Sequence, residues 1–139
     1  MAVANNELQI LWATADSKSV AAAGGEASDA IAFSATAFAA TITLKADSAG
    51  PADGDTIEFY LLLSAGDPDG AGTGAGGSEY PADDTHGIFL AILDTYTPGE
   101  DPAIATVAIP VSVACKIYAK SNASSNAITV SACINEKTA

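Results

Sequence analysis

The sequence predicts an all-β domain: an antiparallel β-sandwich or jelly-roll-like fold of about seven to nine strands, with a short extended N-terminal arm. Three observations predict it. Apolar residues alternate in short runs, the period-two pattern of a strand with one buried face. The runs are separated by clusters of Gly, Pro, Asp and Asn, the residues that turns require. Finally, the 139 residues include 31 Ala and 12 Gly but only 29 Leu, Ile, Val and Phe, a composition suited to thin, closely packed sheets. The length suits one domain burying about two thirds of its unfolded surface.

Residues 1–7 read as the arm and residues 8–139 as the single domain. Leu8 to Trp12 opens the strand series. Leu8, Ile10 and Trp12 fit two roles equally, anchors of an arm on a partner or the first core strand. Residues 28–40 are ambiguous, since Ile31, Ala35, Phe38 and Ile42 sit at helical spacing and Ala raises helix propensity. Strands are favoured there, because Gly24-Gly25 precedes and β-branched residues follow. In Thr41-Ile42-Thr43-Leu44-Lys45, Ile42 and Leu44 share one face and the polar residues the other. Thr56 to Ser64 is nearly continuous in apolar character after Phe59, as in a central strand covered on both faces. Residues 65–86 form a long Gly- and Asp-rich loop. Gly87 to Asp94 resumes as a strand, and Ile104 to Ser112 carries Pro110 near its end, where an edge position tolerates it. Lys116 to Lys120 and Ala127 to Asn135, joined by six polar and small residues, read as a closing hairpin.

The charge excludes more than it suggests. Seventeen acids face five Lys, with no Arg, for a formal net charge of −12. A nucleic-acid module neutralises phosphates with Lys and Arg, so that class is excluded. Twelve of the acids and no Lys fall within residues 47–101. This predicts an acidic, solvent-facing side opposite a less charged docking side. No apolar stretch approaches the 18 or so residues of a membrane helix, and Met1 to Glu7 lacks the basic start and apolar run of a secretory signal.

Candidate chemical motifs each lack a required part. Gly72-Thr73-Gly74-Ala75-Gly76-Gly77 matches the dinucleotide fingerprint in letters, but no helical pattern follows to hold a pyrophosphate. Asp67-Pro68-Asp69-Gly70 has the start of a calcium loop, yet the twelfth position is Ser78, where a bidentate Glu is needed. His86 is the only histidine, which excludes a multi-His metal site. Cys115 and Cys133 lack metal-ligand spacing and read as small buried or half-buried residues. Glu58 is the one acid expected inside a strand, so no carboxylate pair for hydrolysis is placed. No catalytic, cofactor-binding or metal-ligating residue is expected.

Ser28-Asp29-Ala30-Ile31-Ala32-Phe33, Leu44-Lys45-Ala46-Asp47, Gly54 to Leu62, Gly66-Asp67-Pro68-Asp69-Gly70 and Ile128-Thr129-Val130-Ser131-Ala132 together give the chain a family likeness. It resembles the small virion proteins of tailed bacteriophages that decorate or cement the capsid shell. The resemblance implies a β-rich fold, no catalysis, no cofactor and many copies on the capsid exterior after synthesis in the host cytoplasm. The implied partners are the major capsid protein and other copies of the chain, a homo-oligomer with a trimer as one arrangement, and neither nucleic acid nor membrane. The alternative is another β-sandwich binding module, a phage tail or fibre component or a carbohydrate-binding domain. Tyr80 and Tyr96, both in loops, are its candidate contact residues.

Overall fold

The computed structural model describes residues 2–64, 66, 68, 79–96 and 102–139. Ten strands among them build two five-stranded antiparallel sheets, with no helix. The first sheet holds β1 (Ala4–Gln9), β2 (Lys18–Val20), β5 (Ala37–Ser48), β8 (Ala103–Ile109) and β10 (Ile128–Thr138), in the order β1-β10-β5-β8 with β2 also on β10. The second holds β3 (Gly25–Ala27), β4 (Ile31–Ala32), β6 (Thr56–Ser64), β7 (Ile88–Asp94) and β9 (Ala114–Ser121), in the order β3-β9-β6-β7 with β4 also on β9. The fold is an all-β antiparallel sandwich.

The alternation seen in the sequence is what fills the space between the sheets. Ile42, Leu44 and Ala46 of β5 and Ile128, Val130 and Ile134 of β10 face Ile57, Phe59 and Leu61 of β6 and Ile117 and Ala119 of β9, all within one buried cluster. Fully burying each large side chain contributes about 1.5–3 kcal/mol. β6 is central, as expected, with Leu61 and the opposite-facing Leu62 both buried. Pro110 lies just past the end of the edge strand β8, where its missing N–H interrupts no ladder. Residues 28–40 contain the short β4 and the start of β5, so the strand reading holds there.

Several expectations need correction. The count is ten because β2, β3 and β4, of three, three and two residues, are too short to show a period. The arm is shorter than residues 1–7, since β1 begins at Ala4 and pairs with β10 from Ala4 opposite Thr138 to Gln9 opposite Cys133. β9 and β10 do not form a hairpin. β9 pairs with β6 and β10 with β5, so the connection crosses from one sheet to the other with Ala123 buried beneath it. β10 also runs on to Thr138, past the expected end at Asn135.

The turn joining Trp12 to Ala15 is unusual for its residues. Ala13 and Thr14 adopt positive φ, 49° and 72°, a region that normally costs a residue with a Cβ. The Asp29 carboxylate holds it, accepting hydrogen bonds from the Ala13 and Thr14 amides at 3.3 and 3.1 Å.

Candidate docking surfaces

Among the described residues no three of His, Cys, Asp and Glu converge as metal ligands would. The features that stand out are the outward faces of the two sheets and their unpaired edges.

The outer face of the first sheet is built largely from Thr, Ser, Ala and Asn, with a few longer side chains among them. Antiparallel pairing sets Glu7, Asn135, Thr41 and Ala108 in one row across four strands, and Gln9, Cys133, Thr43 and Thr106 in the next. The Thr43 and Thr106 hydroxyls hydrogen-bond at 2.9 Å. Ser131, Lys45 and Ile104 make a further row. Charge on this face balances, with Glu7 and Asp47 against Lys45 and Lys137. A shallow depression of ≈ 480 Å³ lies between Asn5, Thr41, Ala108 and Asn135.

The second sheet presents large side chains outward, and the segment 79–87 lies over part of them. Leu62 points away from the core yet is only 1% exposed. Its cover approaches so closely at Gly87 that a Cβ there would stand 3.0 Å from the Tyr60 Cβ and 3.1 Å from Leu62 Cδ2. Two contacts fasten the segment to β9: Lys120 Nζ donates to Asp84 Oδ2 at 2.8 Å, and Lys116 Nζ sits 4.8 Å from the Tyr80 ring centre. The Asp84 hydrogen bond and charge hold the Lys120 pKa above its ordinary value. The Thr85 amide and hydroxyl beside Asp83 hold that carboxyl below its own. Burial and the neighbouring Glu58 raise Tyr60, which donates to Glu58 Oε1 at 3.4 Å. Glu58, Asp83, Asp84 and Asp94 outnumber Lys116 and Lys120, which leaves this side with a small excess of negative charge.

β7 and β8 are the outer strands on the same side of the sandwich, each with one hydrogen-bonded neighbour. Phe89, Ile92 and Ile104 are 54%, 52% and 60% exposed. Between the two strands lies an open groove of ≈ 510 Å³ lined by Ile92, Leu93, Asp94, Pro102, Ala103 and Ile104. A register shift in β7 puts Phe89 opposite Tyr60 and Ala91 opposite Phe59, leaving Leu90 as a bulge. The Phe89 and Tyr60 rings meet edge to face, centres 5.7 Å apart.

The residues singled out in the sequence are not brought together. Ile10 and Trp12 are buried in the core at 0% and 2% exposure, and Leu8 packs half-buried against it. Ile10 and Trp12, just past the end of β1, therefore take the core role, and Leu8 of β1 points the same way by alternation. Tyr80 is half-buried under its Lys116 contact, and Tyr96, at 44% exposure, follows β7 with its amide donating to Asp94 Oδ1. His86 is exposed, and both cysteines are free; burial pushes the Cys115 thiol up to about 12. Asp67, Asp69 and the Gly72–Gly77 motif lie outside the described residues.

Two buried carboxylates were missed. Glu136 faces the interior, fully buried, and accepts hydrogen bonds from the Ser34 amide at 3.0 Å, the Ser34 hydroxyl and the Asn6 amide group. Burial works against its ionisation, but these donors outweigh it and hold its pKa below the ordinary 4.5. The continued alternation Ile128, Val130, Ala132, Ile134, Glu136 was the available signal. Asp55, 1% exposed, accepts from the Ala52 and Ser124 amides and so ties two loops at one end of the sandwich.

No protein-family model and no curated protein matches the chain. Among solved structures, it is similar to part of a family GH115 4-O-methyl-α-glucuronidase with specificity for decorated arabinogalactans. The two share 14% identity at a TM-score of 0.42, over 93% of this chain and 16% of that one. At that TM-score the likeness bears on neither fold nor activity.

Proposed function

We propose that this chain is a non-enzymatic virion structural protein that binds the outside of an assembled capsid shell and stabilises it. The observation that carries the reading is the charge balance of one face. On a chain of net charge −12, the outer face of the first sheet sets Glu7 and Asp47 against Lys45 and Lys137, around Thr41, Thr43, Thr106, Ala108 and Asn135. Such a face docks on a broad protein surface without stranding large charges. A protein that binds only the assembled shell stabilises it by linkage, and many copies on one particle act together. The partners in this reading are the major capsid protein and neighbouring copies of the chain.

The test is the disruption temperature of mature capsids with and without the purified protein. The protein is expected to raise it, and the Thr41→Glu, Thr43→Glu double variant, which puts two new charges on the neutral face, is expected to lose the effect. Capsids that melt identically in all three samples would sink the reading.

A further inference from the structure

We propose that β7 is a self-complementary docking strand, and that two copies of this chain join along it in an antiparallel, two-fold pair. The proposal goes beyond shell binding and stands whether or not that reading holds.

The bulge is where the argument starts. Residues three apart in a regular strand point to opposite faces, but the shift at Leu90 brings both Phe89 and Ile92 outward, opposite Tyr60 and Glu58 of β6. Bulges re-aim side chains in this way. They produce an apolar pair on an edge strand that carries neither Lys nor Pro, two of the usual guards of an edge, and among the described residues β7 pairs only with β6.

The strand's own sequence says what fits it. With a two-fold axis between Leu90 and Ala91, Phe89 of one copy lies beside Ile92 of the other, and the contact occurs twice. Aromatic and β-branched residues are favourable cross-strand neighbours. In the same register Ile88 meets Leu93. Asp94, the only ionisable residue of β7, falls beside Gly87 of the other copy and so near its Asp83–Asp84 turn, which places like charges at the two ends of the strand pair. An isologous contact of this kind closes on itself as a dimer. At longer range the net charge of −12 on each copy opposes association, so the dimer has a signature: salt strengthens it by screening, the reverse of an interface held by ion pairs.

Sedimentation equilibrium of the full chain tests the proposal. The expected result is a monomer–dimer equilibrium whose dissociation constant falls several-fold when NaCl rises from about 50 to about 500 mM. Phe89→Lys with Ile92→Lys is expected to weaken it by at least about tenfold, with an unchanged far-UV circular dichroism spectrum. Mixing that variant with Phe89→Glu, Ile92→Glu is expected to restore dimers, because the register places each Lys beside a Glu. In the unmodified protein the amides of residues 88–94 should exchange more slowly as concentration rises. A protein that stays monomeric up to about 1 mM, a Lys variant that dimerises like the parent, or β7 amides indifferent to concentration would each overturn the proposal. Capsid melting with the Lys variant is a separate readout, so shell binding can survive the loss of the dimer and the reverse.

Discussion

The two outer faces of the sandwich solve the same problem with opposite means. The first sheet turns out mostly Ala, Thr, Ser and Asn, side chains too short to need cover, with Ile104 exposed at its edge and its charges balanced. The second turns out Tyr60, Leu62 and Phe89. It hides Leu62 under the segment 79–87 while leaving Phe89 exposed at the edge. Large apolar side chains on an outer face must be covered by the chain itself or be available to another chain, and this sheet does both within a few residues.

The difference should be largest in energy at Leu62. Truncation to Ala is expected to cost about 2–4 kcal/mol and to free the segment 79–87, which loss of the Tyr80 and Lys116 contact in nuclear magnetic resonance spectra would report. A cost within the range of a surface substitution would mean that the cover contributes nothing.

Glu136 adds to the contrast from the inside, because β10 of the first sheet carries a carboxylate inward among apolar side chains. Glu136→Gln is expected to cost about 1–3 kcal/mol at neutral pH, read by urea unfolding. Its pH dependence has a definite sign. The folded-state pKa lies below the ordinary 4.5, so the stabilisation is fully present above that value and is lost as pH falls through the folded pKa. Unfolding free energy of the parent should therefore decline below about pH 4.5 more steeply than that of Glu136→Gln. Parallel profiles would remove Glu136 from the account.

The smallest effect belongs to the outer face of the first sheet. Thr43→Ala deletes an exposed hydrogen bond to Thr106 and is expected to cost no more than about 1 kcal/mol, with a melting curve close to the parent's. A larger loss would show that the face contributes to the fold rather than being free for docking.

How much of this was legible varies residue by residue. Ile42 and Leu44, or Ile57, Phe59 and Leu61, announce their inward face through alternation alone. The apolar run through Leu62 announces a strand covered on both sides, but not that residues 79–87 supply the cover. Ile10 and Trp12 were open between arm and core, since alternation says that they share a face but not whether a second sheet lies across it. The sequence places Glu136 past the last strand, because a carboxylate at an inward position makes sense only once Ser34, 102 residues away in the chain, is known to meet it. The bulge that turns Phe89 and Ile92 to one side is a matter of register against β6 and leaves no mark in β7 itself.

By itself, then, the sequence determined the all-β class, the position of the long strands, the inward face of each and the excess of acid in the middle of the chain. It took tertiary packing to part β9 and β10 into different sheets, to satisfy Glu136 inside, and to leave Phe89 and Ile92 exposed on one face of β7. The reason is physical. Side-chain alternation records a strand's faces locally, whereas strand partners are chosen through backbone hydrogen bonds that nearly every residue type can make, so the choice is settled only when the whole core packs.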